Sequence, residues 1–365
     1  MNYKVKDVFP GGNTSLGFFS YYNYVIRPDA TRILVIKGGP GVGKSSFMKV
    51  IAERLGQQGL DVEQHHCSSD NNSLDGVVFP QVGVALIDGT SPHIVDPKNP
   101  GAVDEIIHLG DYWNESGLRK HKDEIIAINQ EIGRWFERAY RSLKAAKLIH
   151  DDIEAANIEG LQYGKANRLA QDLIAELLPV RKDAENPGYL RKLFASAITP
   201  EGFHNYLNTL IGSMSKIVAI TGAPGTGKST LINKIATFCI EQGYDCEAYY
   251  CAFDPLKVEH LVIAELDLAI TTSVDPHQLN IDKDIRFVNM DECVAPSVFI
   301  KYDGLIKNEE TLKNALLEQA IGFIKQAKSM HDRLEDYYIP NMDFDAVNDL
   351  RDRTIERIIG YIESK

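Results

Sequence analysis

Gly38-Gly39-Pro40-Gly41-Val42-Gly43-Lys44-Ser45 is the stretch from which the fold can be read. It satisfies G-x-x-x-x-G-K-[ST] and follows the apolar run Ile33-Leu34-Val35-Ile36, so it reads as a buried strand entering a glycine-rich turn. The next segment places Phe47, Met48, Val50, Ile51 and Leu55 at helical spacing. Backbone N–H groups in such a turn can surround a polyphosphate, and the following helix turns its positive end toward it. Lys44 would reach the β- and γ-phosphates, Ser45 would hold Mg²⁺, and Ser46 would close the cradle.

The pattern then recurs. Gly222-Ala223-Pro224-Gly225-Thr226-Gly227-Lys228-Ser229-Thr230 follows Ile217-Val218-Ala219-Ile220 and precedes Leu231, Ile232, Ile235 and Cys239, again at helical spacing. Lys228 stands 184 residues after Lys44. At the same offset and without a gap, Gly59 falls on Gly243, Asp61 on Asp245, Glu63 on Glu247, Cys67 on Cys251, Asp70 on Asp254, Pro92 on Pro276 and His93 on His277. Such self-similarity marks an internal duplication. Lys228 and Ser229 then repeat the phosphate and Mg²⁺ roles.

Each unit is expected to hold alternating strands and helices, hence a mainly parallel sheet covered on both faces. The strands are expected at Val62–Cys67 and Val82–Ile87, and at Cys246–Cys251 and Leu266–Ile270. A short helix is expected to carry Phe18, Tyr21 and Tyr22 in one unit and Phe203, Tyr206 and Leu207 in the other. Helical tails are expected at about 118–180 and 308–364, giving an α/β chain with one unit over 1–185 and another over 190–365, the seam being the turn cluster Glu185-Asn186-Pro187-Gly188.

A net charge of −12 argues against a nucleic-acid-binding surface, which needs a basic face. Five cysteines without a C-x-x-C pair indicate neither a disulfide framework nor a zinc knuckle, so a reducing, cytoplasmic setting is expected. No apolar run reaches the length of a membrane span.

Asp88 ends the run Val84-Ala85-Leu86-Ile87 and is the expected metal-side carboxylate of the first unit. The same register of the second unit holds Thr272, which leaves that site without its acid unless Asp291 or Glu292, after Phe287-Val288-Asn289, substitutes. Asp70 and Asp254 follow the second strand, where a carboxylate could position water or simply make a turn. His93 and His277 lie beyond the third strand at the carboxyl edge and could contact phosphate or hydrogen-bond a loop. Lys147, His150, Asp151 and Glu154, repeated as Lys328, His331, Asp332 and Glu335, share one helical face, read as solvated or inter-domain. His65-His66-Cys67 alternates across a strand and does not converge on a metal.

With both phosphate loops, Asp88-Gly89-Thr90-Ser91-Pro92-His93, Asp96-Pro97 with Pro100-Gly101-Ala102, and the leads Thr14-x-x-Gly17 and Thr199-x-x-Gly202, the sequence resembles the P-loop NTPases. More narrowly, it resembles a bacterial family of tandem P-loop ATP-binding proteins related to ATPases and nucleotide kinases. The resemblance implies two tandem P-loop NTPase domains with ATP and Mg²⁺ as cofactors. Lys44, Ser45, Lys228 and Ser229 would take the phosphate and metal roles. Three readings follow: an ATPase whose first site is catalytic and whose second is degenerate or regulatory; a kinase passing phosphate to a small-molecule or nucleotide acceptor; or an ATP-binding switch or scaffold with negligible turnover and a protein partner. The expected assembly is an intramolecular pseudo-dimer or a homo-oligomer.

Overall fold

A computed structural model of the chain describes residues 3–92, 94–181, 184–279 and 281–363. The first half runs β1 (Val5–Val8), the hairpin β2 (Gly11–Thr14) and β3 (Gly17–Ser20), β4 (Arg32–Lys37), α1 (Lys44–Gln57), β5 (Val62–His66), β6 (Leu74–Phe79), β7 (Val84–Asp88) and β8 (Asp104–His108). Helices α2 (Glu115–Arg119), α3 (Lys122–Ile158) and α4 (Tyr163–Leu177) follow. The second half repeats the plan with β9 (Leu190–Phe194), the hairpin β10 (Ser196–Thr199) and β11 (Gly202–Asn205), α5 (Leu207–Ile211), β12 (Lys216–Thr221), α6 (Lys228–Glu241), β13 (Cys246–Tyr250), β14 (Val258–Ile263), β15 (Leu268–Thr272), β16 (Arg286–Asn289), α7 (Pro296–Tyr338) and α8 (Phe344–Glu363).

The fold is α/β, with two six-stranded, mostly parallel sheets flanked by helices. Their orders are β1-β5-β6-β7-β4-β8 and β9-β13-β14-β15-β12-β16, the same plan twice. In each, one strand runs against its neighbours: β6 between β5 and β7, and β14 between β13 and β15. The sequence reading missed these two strands, the edge strands β1 and β9, and β8, because each is a run of only 4–6 residues without strong alternation. The expected short helix is corrected too. Phe18 and Phe203 lie in hairpin strands, Tyr22 lies in a single 3₁₀ turn, and only Leu207 lies in a helix. In these leads a glycine at positive φ, Gly17 or Gly202, closes a two-residue turn and starts the return strand, before a helix can start.

The halves meet about a pseudo-two-fold axis. Phe9 and Phe194 exchange both backbone hydrogen bonds, at 2.9 and 3.0 Å. Beside them Lys6 and Arg191, equivalent residues of the two edge strands, share the equivalent carboxylates Glu63 and Glu247. Lys6 lies 2.6 Å from Glu247 and 3.5 Å from Glu63, and Arg191 lies 2.6 Å from Glu63 and 3.0 Å from Glu247.

The long helices α3 and α7, of 37 and 43 residues, run antiparallel, with Trp135 stacked on Phe323 and Ser142 hydrogen-bonded to Gln319. Ala139, Leu143 and Ala146 meet Ala320 and Ile324 in their seam, and small residues there let the axes approach. At roughly 1.5 Å per residue each helix is long enough to leave its own half. Both do so. The side chains of α8 (Val347, Ile355, Ile358) join the core around α1 and the first sheet, while those of α4 (Ala170, Leu173) join the core around α6 and the second. The crossings are reciprocal. Asn114 N–H donates to Asn341 O and Ala295 N–H to Gly160 O; Asp343 N–H donates to Tyr112 O and Gln162 N–H to Cys293 O. Among the described residues no helix is long and apolar enough to cross a membrane.

Burial alone would raise the Glu63 carboxyl, but Lys6, Arg191 and His65 outweigh it and hold it well below the usual range. Glu247 is lowered by Lys6 and Arg191 against the same burial. Removing one cation strands a buried carboxylate, so Arg191→Met is expected to cost about 3–5 kcal/mol in urea unfolding at pH 7. Lys307→Met, at an exposed pair with Asp303, should cost less than about 1 kcal/mol. Because both carboxyls are lowered in the fold, their contribution is complete above the free-Glu value of about 4.3 and is lost as pH falls through the lower folded values. The urea midpoint should therefore hold from pH 7 to 5 and drop below pH 4, the drop shrinking in Arg191→Met.

Candidate functional site

Each glycine loop joins the carboxyl end of a central strand to a helix that begins at the motif lysine: β4 to α1 at Lys44, β12 to α6 at Lys228. The loops share their backbone at two glycines, Gly41 and Gly43 at φ +67° and +88° and Gly225 and Gly227 at +79° and +94°, and differ at the first, where Gly222 but not Gly38 has a positive φ, +131°. Lys44 Nζ folds back to donate to Gly38 O and Gly39 O at 3.2 and 2.8 Å, and Lys228 Nζ to Gly222 O and Ala223 O at 2.6 and 2.7 Å. Both cations therefore stand at the mouth of their loop.

Asp88 and Thr272 occupy the same register, opposite Ile36 and Ile220. Asp88 Oδ2 lies 3.6 Å from Lys44 Nζ, while Oδ1 accepts from the Thr90 N–H at 2.9 Å and from the Thr90 hydroxyl. Thr272 is buried, and its Oγ1 has no hydrogen-bond partner. Asp291 instead accepts from the Ala223 N–H at 2.7 Å, so it ties down the second loop from the turn after β16, on the opposite side of β12 from Thr272. Asp70 makes a turn, its carboxylate accepting from Ser73 Oγ at 2.8 Å and the Asn72 N–H at 3.1 Å. Burial would raise it, yet these bonds and Lys328 hold it below its usual value. His277 is buried beside the second loop's cavity; its equivalent, His93, lies outside the described residues.

Sequence reasoning missed Asp75 and Glu259, which stand at equal register 31 residues after the two lysines. They begin β6 and β14, and because these strands run in reverse, their first residues share an edge with the last residues of the parallel strands. A search for acids that end apolar runs passes over acids that start them. Leu74 N–H donates to Ser45 Oγ at 3.0 Å, which brings Asp75 next to the loop serine. Asp75 is capped by the Tyr22 hydroxyl at 2.9 Å.

The repeated Lys-x-x-His-Asp-x-x-Glu face covers the glycine loop of the other half. From α3, Lys147 meets Asp254 at 3.2 Å, Glu154 pairs with Lys257, and Asn157 Nδ2 donates to Pro224 O at 2.9 Å. From α7, Lys328 meets Asp70 at 3.4 Å. The contact is close enough to need glycine. A Cβ at Gly225 would lie 2.4 Å from Glu154 O, and one at Gly41 3.1 Å from the Ile339 side chain and 3.2 Å from that of Glu335. Tyr338 lies over Gly39, where a Cβ would come within 2.6 Å of its ring; the equivalent residue over the second loop is the smaller Asn157.

A cavity of about 1040 Å³ lies over the second loop, with the loop from Gly222 to Thr230 on one side and Glu310, Lys313 and Leu317 of α7 on the other. Burial lowers Lys228 to about 8 against the pull of Asp291, Glu154 and Glu259. Burial would raise Glu154, but bonds from His150 and Lys257 bring it down to about 2. His331, over the first loop, is lowered chiefly by burial. Among the described residues no cluster of three or more His, Cys, Asp and Glu is arranged to hold a metal.

Alanine at Gly225 must suffer both the left-handed backbone and the collision with α3. Gly17, at φ +94° with nothing within 4 Å of a Cβ, suffers only the first. Gly17→Ala is expected to cost about 1–2 kcal/mol and Gly225→Ala about 1–3 kcal/mol more, both read by urea unfolding. No family model, no curated protein and no solved structure matches the chain.

Proposed function

We propose that the chain binds a nucleoside triphosphate, ATP, at both glycine loops as a tandem pair of P-loop NTPase domains, and hydrolyses it at the first. The observation that carries this is the doubled strand, glycine loop and helix, with a half-buried lysine at each loop mouth and the other half's long helix laid over it. Loop amides and the helix N-terminus suit a polyphosphate, and Lys44 and Lys228 would exchange their carbonyl partners for its oxygens. ATP is preferred because no guanine-reading signature stands in the sequence.

The oxygens at the first loop fit a magnesium ion. Ser45 accepts from the Leu74 N–H beside Asp75, and Asp88 stands 3.6 Å from Lys44; all three are hard oxygen donors. Such an ion would offset charge developing on the γ-phosphate, while Lys44 draws the same charge toward the loop. The second site has Ser229 but Thr272 in place of the acid, which suits binding and regulation more than hydrolysis. Phosphoryl transfer to a small molecule is the second reading, and the large cavity over the second loop favours it there. Because each loop is covered by the opposite half, closing one site on nucleotide would shift a helix anchored in the other.

Equilibrium dialysis with ATP and Mg²⁺ should give two nucleotides per chain, falling to one in Lys44→Ala and one in Lys228→Ala. Phosphate release should fall about 100-fold or more in Lys44→Ala and far less in Lys228→Ala. A wild-type chain that binds no ATP would refute the reading. Lys228 at about 8 adds a pH test, since phosphate binds the protonated amine. In Lys44→Ala, ATP affinity should be level below pH 7 and weaken above pH 8, approaching tenfold per pH unit.

A further inference from the structure

Equivalent carboxylates in the two halves meet different surroundings. In the first half Asp75 is buried and accepts from the Tyr22 hydroxyl at 2.9 Å. In the second half Glu259 holds Asp75's place, but the residue in the place of Tyr22 is Leu207, which carries no hydroxyl and is packed against Val262 and Ala269. Glu259 Oε2 makes no hydrogen bond, with His277 Nε2 at 3.5 Å and His260 Nε2 at 3.9 Å from it, while the Cys251 thiol bonds to the same carboxylate. Glu259 lines the cavity over the second loop, and so do Thr272 and His277, which are 97% and 96% buried and whose Oγ1 and Nδ1 are likewise without partners. Three unsatisfied polar atoms on one cavity wall, two of them on nearly fully buried side chains, carry a desolvation cost that a bound polar group would relieve.

The first half shows which group complements a carboxylate at this position: a hydroxyl. Another part of the cavity is apolar, with Phe203, whose ring lies 6.4 Å from that of His277, and with Leu317 and Ile321, and suits a flat ring. We infer that the cavity over the second glycine loop binds a hydroxyl-bearing small molecule of nucleoside type, its hydroxyl donating to Glu259 and its ring lying against Phe203, Leu317 and Ile321. Resting on the nucleotide reading above, this molecule is the phosphoryl acceptor of the second site. The hydroxyl oxygen forms a bond to the γ-phosphorus of the nucleoside triphosphate. The bond from that phosphorus to the β,γ-bridging oxygen breaks, its electron pair leaves on the nucleoside diphosphate, and the hydroxyl proton passes to Glu259.

Two measurements on the full chain separate this inference from the nucleotide reading. Saturation-transfer NMR with adenosine, cytidine, guanosine and uridine, without nucleotide, should show at least one bound to wild type and to Glu259→Gln, whose amide oxygen still accepts, and none to Glu259→Leu. With γ-labelled ATP, label should pass to the bound nucleoside in wild type and fall about 100-fold in Glu259→Gln, the usual share of a general base. ATP binding at the first loop, unchanged in both variants, would show that they fold. Absence of nucleoside binding in wild type, equal binding in Glu259→Leu, or full transfer in Glu259→Gln would overturn the inference while leaving ATP binding intact. Nucleoside binding lost with Glu259→Leu in a chain that binds no ATP would instead uphold the binding site and overturn the nucleotide reading.

Discussion

The close approach of each long helix to the glycine loop of the opposite half is the contact on which the arrangement depends. It requires a residue without a side chain at the middle of the loop, because a Cβ at Gly225 would run into the Glu154 carbonyl. The same glycine supplies the left-handed backbone that turns the loop back on itself. One residue type thus meets two demands. Around that contact the chain can place Lys147, His150 and Glu154 over one loop and Lys328, His331 and Glu335 over the other. The exchange also makes α4 and α8 part of the core they visit, so neither sheet buries its helices fully without the other half of the chain. The ion cluster at the axis, Lys6 and Arg191 with Glu63 and Glu247, fixes the relative position of the halves through charges that would be costly to separate.

Duplication has left the frame symmetric and the sites unequal. Strand order, helix exchange and the hairpin glycines Gly17 and Gly202 match pair by pair. The differences gather at the edge where the strands meet the loops: Asp88 against Thr272, Asp75 capped by the Tyr22 hydroxyl against Glu259 with Leu207 in that place, and Tyr338 against Asn157 above the loop. The first loop is closely covered and rich in carboxylate. The second opens into a large cavity with unsatisfied polar atoms on its wall. Two such environments favour different chemistry on similar loops.

Much of this was legible in the sequence. The alternation of apolar runs with helical spacing marked the central strands and helices, and the constant offset of 184 residues marked the repeat. The α/β class followed from those alone. What stayed hidden has physical reasons. A reversed strand such as β6 has no local mark of its direction, so the acid that opens it, Asp75, did not read as a site residue. The hairpin leads looked helical because Phe18, Tyr21 and Tyr22 fall at helical spacing, but the turn at Gly17 is made first. The exchange of tails could not be read at all. Lys147, His150, Asp151 and Glu154 announced a polar helical face, yet nothing local states which loop that face meets, since partner choice rests on non-local packing between α3 and α7.

Backbone hydrogen exchange followed by mass spectrometry tests the crossed arrangement most directly, and it needs no ligand. Gly225→Ala should speed exchange over residues 147–158 of the first half's helix and leave 328–339 unchanged. Gly41→Ala should do the reverse. Faster exchange in the helix of the same half as the substituted loop, with the opposite helix unaffected, would contradict the account.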